Sequence, residues 1–406
     1  VKGAYLLGVE REVQNILPRG DYGLYFSLFN FSMLLQLIAD FGLQLYNSRN
    51  LAGHRQLLAK YFPYFLSLKL ALALAFLLCL MLGGWLLGYW ATNWPLLLIV
   101  GSNQLLMSWM LFLRSNLTGI GRYRTDSWMS IVDKVLMLVF VGSLVLFAKD
   151  QLTVTRFALA QTLSWLLSIA LVTGLLANKL ERFLPRWNGA IAFSFLRKAA
   201  PFALAVFLMT AYTRTDAVMI ERLLEDGSEQ ADHYAAAYRL LDAVNMIGYL
   251  LSGLLLPMFA RQIARKESVV DLLRLSLPIV LTGSIVIAMS TFVFAKDIIF
   301  TLYDFGNGQT ISILQLLIFS FVAMCINYVY GALLGAADQL RWMNYIFLAG
   351  CLLNIIGNAW YIPRNGAVGA AMVTLITQSF IAVAQLVLAH VRLKLSWLVL
   401  PWWRFL

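Results

Sequence analysis

Long apolar runs, each close to the length needed to cross a bilayer, recur along this chain and limit what it can fold into. Bounded by charge, glycine or proline, eleven of them cover residues 21–46, 62–88, 95–117, 127–148, 155–177, 199–223, 232–259, 275–295, 310–334, 342–362 and 367–390. About 20 apolar residues in a helix span the ~30 Å hydrocarbon core of a membrane. Nine mostly apolar residues, Val1 to Val9, precede Glu10-Arg11-Glu12. They are too few to span and read as the outer end of an incomplete first helix rather than a signal peptide. Counting that stub as helix 1, the runs are helices 2 to 12. Of the 406 residues, 61% are hydrophobic and 13% charged, against roughly 45–50% and about 25% in soluble domains. The expectation is an all-α integral membrane protein with about twelve transmembrane helices. The longest polar stretch, Asn178 to Lys198, is too short to fold alone, which excludes a fused ATPase, a soluble glycosyltransferase domain or a sensor module.

The net charge of +11 belongs with this picture rather than with nucleic acid. One alternating set of loops and helix ends holds Arg49, Arg55, Lys60 and Lys69; Arg114, Arg122 and Arg124; Lys179, Arg182, Arg186, Arg197 and Lys198; Arg261, Arg265, Lys266 and Arg274; Arg341; and Arg392, Lys394 and Arg404. The other set holds only Arg19, Lys149, Arg156, Arg222, Lys296 and Arg364. Basic loops stay in the cytoplasm, so both termini are expected there.

The two halves repeat. Tyr22-Gly-Leu-Tyr-Phe-Ser-Leu-Phe-Asn30, opening helix 2, aligns with Tyr234-Ala-Ala-Ala-Tyr-Arg-Leu-Leu-Asp242, opening helix 8. Gly121 and Trp128-Met129 match Gly335 and Trp342-Met343 at nearly the same shift. A parallel 6+6 duplication follows, with lobes at 1–177 and 199–390, a cytoplasmic linker at 178–198 and a tail at 391–406. Paired bundles of this kind underlie alternating access.

Enzyme motifs do not occur: there is no GxxxxGK[ST] loop, HExxH or CxxC spacing, DxD pair or GxSxG elbow. The expectation is a non-enzyme with no metal. Cys79, Cys325 and Cys351 fall in apolar runs and read as core residues; His54, His233 and His390 fall at helix ends and show no buried relay. What remains is charge inside the membrane, which is costly and so a functional candidate. Helix 7 carries Thr210-Ala-Tyr-Thr-Arg-Thr-Asp216. Arg214 sits about 15 residues from its cytoplasmic end, roughly 22 Å at ~1.5 Å per residue, too deep to reach that interface. Two residues apart, Arg214 and Asp216 point to different faces. Each either locks a neighbouring helix or lines a water-filled cavity, and Arg214 is read as facing the cavity.

Helix 8 presents Tyr238, Asp242, Asn245, Tyr249 and Ser252 on one face, with Arg239 beside them. This stripe either hydrogen-bonds between helices or contacts cargo. Ser32, Gln36 and Asp40 form a shorter stripe on helix 2 with Arg49 near its mouth, and Asp133 and Lys134 lie within helix 5. Arg122 and Arg124 are ordinary loop cations or gather an anionic headgroup. Asn354 and Asn358 suit packing better than coordination, as does Gly331-x-x-x-Gly335. Trp397, Trp402, Trp403 and Arg404 read as an interfacial belt. So much embedded arginine would repel an organic cation, whereas its planar fork suits phosphate. The cargo expected is anionic and phosphate-bearing.

These segments resemble a known family. Leu17-Pro-Arg-Gly-Asp-Tyr-Gly-Leu-Tyr25, running on to Asp40-Phe-Gly-Leu43 and Arg49, resembles the start of polysaccharide-biosynthesis flippases of the Wzx type, within the multidrug/oligosaccharidyl-lipid/polysaccharide (MOP) exporter superfamily. Arg214-Thr-Asp216, His233 to Asp242, Leu256-Pro-Met-Phe-Ala-Arg261 and Tyr361-Ile-Pro-Arg-Asn-Gly-Ala-Val-Gly-Ala370 are similar to that family's second half. The resemblance implies a MATE-like transporter moving undecaprenyl-diphosphate-linked oligosaccharide, such as an O-antigen unit of lipopolysaccharide, across the bacterial inner membrane. Its partners would be membrane lipids and the glycan polymerase and glycosyltransferases of the same pathway. On that reading Arg214, Arg239 and Arg49, with Arg122 and Arg124 at the entrance, attract the diphosphate or acidic sugars. Tyr212, Tyr238, Asp242 and Asn245 contact hydroxyls or gate the cavity, and Asp216, Asp242 and Asp40 carry coupling by H+ or Na+, or gating. The rival readings are a multidrug or cation antiporter of the same fold and a membrane-embedded glycan polymerase or ligase.

Overall fold

A computed structural model describes residues 2–43, 55–91, 93–119, 122–177 and 185–396. Its elements are helical throughout the described residues. Residues 2–16 form helix α1, which includes a π-helical turn at Tyr5–Glu10. Then follow α2 (Asp21–Asp40), α3 (Arg55–Leu86), α4 (Trp94–Gly119), α5 (Tyr123–Phe147), α6 (Val154–Ala177), α7 (Gly189–Leu223), α8 (Gly227–Ala264), α9 (Val270–Val293) and α10 (Gly308–Ala336). A short helix, Ala295–Leu302, precedes α10. The last helical stretch, Leu340–Arg392, is broken at Gly366 (φ 60°, ψ −147°) into α11 (340–365) and α12 (367–392). Among the described residues ten helical stretches are long and apolar enough to span a bilayer, and dividing the last at Gly366 makes eleven. The chain is a multi-pass, all-α membrane protein.

Leu70, Leu74, Leu78, Leu82 and Leu86 recur every fourth residue along α3 and are all exposed. In water such a stripe would drive aggregation; in a bilayer it is the surface that lipid tails cover, while every backbone N–H and C=O is satisfied inside the helix. The polar side chains turn the other way. Ser27, Asn30, Asn116, Ser164, Asn354, Asn358 and Thr377 are fully buried between helices.

Residues Val1–Thr210 and Ala211–Leu406 form two compact units, the division falling inside α7. In the first unit α4 packs on α2, α3, α5 and α6. In the second, α10 packs on α8, α9 and the α11–α12 hairpin. The central helix of the first unit is thus the fourth and that of the second the tenth.

Four features differ from the expectations. Helix α7 begins ten residues early, because Gly189 to Lys198 continues it despite Arg197 and Lys198; Phe195 packs its first half edge-on against Phe65 of α3, 4.3 Å between ring centres. Lys69 is no loop cation. It lies inside α3, 1% exposed, donating to Ala39 O (2.8 Å), Asp40 Oδ1 (3.2 Å) and Ser108 Oγ (2.6 Å). Asp40 is thereby an interhelical ion-pair partner at the C-terminal end of α2. His233 and His390 stand near helix ends, His390 in the last turn of α12, but both are buried, His233 Nδ1 sharing a hydrogen bond with Thr310 Oγ1 (2.8 Å).

Candidate functional site

The second unit holds two charge centres, built on residues two apart in α7. The first is built on Arg214. About nine residues separate it from the α7 terminus at Leu223, roughly 14 Å at ~1.5 Å per residue, so it lies well inside the span. Arg214 Nη2 is 3.4 Å from Asp242 Oδ1, and Arg239 Nη1 is 3.6 Å from Asp242 Oδ2. One carboxylate therefore stands between two guanidinium groups, leaving a formal excess of one positive charge. Both separations exceed the 2.7–2.9 Å usual for a charge-assisted hydrogen bond, so Asp242 holds its arginines loosely. Arg214 Nη1 is buried with no hydrogen-bond partner among the described residues. A buried donor left unpaired costs about 1–3 kcal/mol, and more when charged.

Tyr238 shapes this centre from below. Its ring lies 5.2 Å from the Arg214 guanidinium carbon, a cation–π geometry, and its hydroxyl donates to Thr213 O at 2.9 Å. Four residues apart on α8, Tyr238 and Asp242 share one face. Asn245 continues it and accepts a hydrogen bond from Tyr328 of α10 (2.9 Å). Tyr249 closes the stripe, its ring edge-on to Tyr328 and its side chain largely exposed.

The second centre is Asp216, 1% exposed. Its carboxylate accepts from Tyr234 of α8 (Oη to Oδ2, 2.8 Å), Asn354 and Asn358 of α11 (Nδ2 to Oδ1, 3.0 and 2.6 Å) and Thr374 of α12 (Oγ1 to Oδ2). All four donors are neutral, and among the described residues no Lys, Arg or His side chain lies within ion-pair distance of it. A buried carboxylate without a cation is expensive even when hydrogen-bonded. Asn358 Oδ1 is also buried without a hydrogen-bond partner among the described residues. The cage thus gathers two amide N–H donors and two hydroxyl donors around a single negative charge. The described residues contain no group of three or more His, Cys, Asp or Glu side chains placed to hold a metal ion.

The two centres touch through tyrosine. Tyr234 and Tyr238 stand one turn apart on α8 with ring centres 5.5 Å apart and planes tilted by 32°. One binds the Asp216 carboxylate; the other carries Arg214.

Arg214, Arg239, Tyr238, Asp242, Asn245 and Asp216 are therefore gathered within one unit. Tyr212 is buried against Phe347 of α11, 6.2 Å between ring centres. Arg122 and Arg124 belong to the first unit, at the start of α5, where Arg114 holds Asp126 through Nε–Oδ1 at 2.7 Å. Asp40 is engaged by Lys69 in that same unit. Arg49 lies outside the described residues. Tyr234, Thr374 and Tyr328 were not singled out by the sequence reading. Tyr234 was legible, standing four residues before Tyr238; Thr374 and Tyr328 approach only through the fold.

The family model described as polysaccharide biosynthesis protein matches residues 13–263. No curated sequence is significantly similar to the chain. Among solved structures, a multidrug resistance MATE family transporter of the MOP superfamily in an inward-facing conformation superposes with a TM-score of 0.73 at 12% identity, over 96% of this chain and 94% of that one. The lipid II flippase MurJ in an inward closed conformation gives 0.70 at 14% identity, over 95% and 85%. A MOP superfamily transporter from Pyrococcus furiosus, described as having a binding pocket of reverse polarity that suggests a different function, gives 0.64 at 12% identity, over 97% and 92%.

Proposed function

The chain belongs to the polysaccharide biosynthesis protein family, and from that premise we propose that it is a flippase for lipid-linked oligosaccharide. Its cargo on this reading is an undecaprenyl-diphosphate-linked repeat unit of O-antigen or another surface polysaccharide, carried across the bacterial inner membrane by alternating access, with both termini cytoplasmic. The glycan polymerase and glycosyltransferases of the same pathway are its partners. The observation that supports the cargo is the Arg214–Asp242–Arg239 cluster with its idle Arg214 Nη1. Asp242 occupies the arginines as a weak internal stand-in for phosphate. A diphosphate brings more charge and more acceptors, pairs with both guanidinium groups and frees Asp242. Asn245, Tyr238 and Tyr328 then offer amide, hydroxyl and ring faces to the first sugar, while the polyprenyl tail stays in lipid.

The Asp216 cage supplies the site for a coupling ion, H+ or Na+, on the same reading. A multidrug antiporter for organic cations is disfavoured, because such cargo would meet a net positive charge at Arg214.

Export of surface glycan by site-directed variants at matched protein levels tests the site. Arg214→Ala, which leaves Arg239 with Asp242 and no net charge, is expected to lower export at least about tenfold, the effect of losing roughly 1.4 kcal/mol of binding. Arg214→Lys, keeping the charge without the fork, retains part of it. Export by Arg214→Ala equal to wild type would remove Arg214 from the mechanism.

A further inference from the structure

We propose that the basic end of the α11–α12 hairpin, expected in the cytoplasm, binds one anionic phospholipid, with Arg392 taking the phosphate and Trp342 holding Arg392 in place. The proposal rests on neither Arg214 nor Asp216. Trp342 lies in the first turn of α11, and Arg392 ends α12. The Arg392 guanidinium carbon is 4.0 Å from the Trp342 ring centre, close enough for the planar fork to stack on the indole. Held by its face, the fork keeps its N–H edges for a ligand. Among the described residues no side-chain hydrogen bond or ion pair engages Arg392, Arg341 or Lys394. Two of the last carbonyls of α12 are met by backbone instead, Leu393 N donating to Ala389 O (2.9 Å) and Leu395 N to His390 O (3.0 Å). Residues 305–406 contain a single acidic side chain, Asp338, so in this stretch of chain the cations outnumber their possible partners.

An apolar face continues from this head site into the membrane. Tyr345, Leu348, Leu352 and Ile356 of α11, at spacings of three and four, are exposed, as are Val387 and Val391 of α12. From Tyr345 to Ile356 the helix rises roughly 16 Å at ~1.5 Å per residue, about half of a ~30 Å hydrocarbon core and so the depth of one leaflet. A free phosphate would use only the cations, whereas a phospholipid uses the cations, the indole and the apolar face together. Basic residues at a cytoplasmic surface attract anionic lipid in general, and the internal repeat supplies a contrast. Trp128, near the start of α5, matches Trp342 in sequence and is likewise exposed, but among the described residues no cation lies over its ring.

Purified protein stripped of lipid in detergent would be titrated with phosphatidylglycerol and with phosphatidylcholine of the same acyl chains, and bound lipid counted by native mass spectrometry. Wild type is expected to bind its first phosphatidylglycerol about tenfold tighter than its first phosphatidylcholine, the effect of about one or two interfacial cations. Raising the salt concentration should shrink that preference, because the cations are exposed. Arg392→Gln and Trp342→Ala should each reduce it below about threefold, the first by removing the charge and the second by freeing the fork while every charge stays. Trp128→Ala should keep the full preference. All three positions are exposed, so the lipid-free unfolding midpoints are expected to match wild type and report that each variant is folded. A wild type that does not discriminate between the lipids overturns the proposal, as does the wild-type preference in Arg392→Gln or Trp342→Ala. So does an equal loss in Trp128→Ala and Trp342→Ala, which would make the preference a property of any interfacial tryptophan.

Discussion

Three buried charges in this molecule, Lys69, Asp216 and Arg214, are handled in opposite ways. Lys69 has its three donors matched by a carbonyl, a carboxylate and a hydroxyl from α2 and α4. Nothing is left over for a ligand, so its role is to hold three helices of the first unit together. Lys69→Ala is expected to lower stability by about 3 kcal/mol, because it strands Asp40 without its cation. The double variant Lys69→Met with Asp40→Leu should recover most of that loss, since an apolar pair of similar volume suits the site. Thermal unfolding in detergent reads both, and a double variant no better than the single one would contradict the assignment. Asp216 and Arg214, by contrast, each sit beside an unsatisfied atom, Asn358 Oδ1 and Arg214 Nη1 respectively.

At the scale of elements, the α11–α12 hairpin depends on one residue. Gly366 adopts φ 60° and ψ −147°, a combination essentially confined to glycine. A Cβ there would stand 3.0 Å from Gln230 Oε1, the oxygen that also accepts from Gln309 Nε2 and Ala367 N. Gly366→Ala is expected to cost about 1–3 kcal/mol and to weaken the register that sets Asn354 and Asn358 opposite Thr374. An unfolding midpoint unchanged from wild type would show that the break tolerates a side chain. The same hairpin shows what hydropathy can and cannot reveal. Apolar runs at 342–362 and 367–390 fall within a few residues of α11 and α12, because a membrane helix must be apolar for about its full span. The early start of α7 was not legible, since Arg197 and Lys198 interrupt the apolar run without interrupting the helix. Lys69 was misread for a related reason. Counting basic residues by position assigns a cation to a loop, but its burial depends on partners 29 and 39 residues away. The Asp216 cage was hidden in the same way, its α11 and α12 ligands lying 138 to 158 residues along the chain.

For the whole molecule, the account joins a membrane fold shared with MATE-type transporters and MurJ to an anion site that such a fold does not by itself dictate. The likeness to those structures shows how the helices are arranged. The proposed cargo rests on the family membership together with Arg214, Arg239 and Asp242. The most direct measurement of that claim is to delete the gene, extract the glycolipid intermediates and locate them by leaflet. The account predicts that undecaprenyl-diphosphate oligosaccharide builds up on the cytoplasmic side and that wild-type protein clears it while Arg214→Ala does not. A normal surface glycan in the deletion strain, with altered sensitivity to organic cations, would contradict it and give the fold a different cargo.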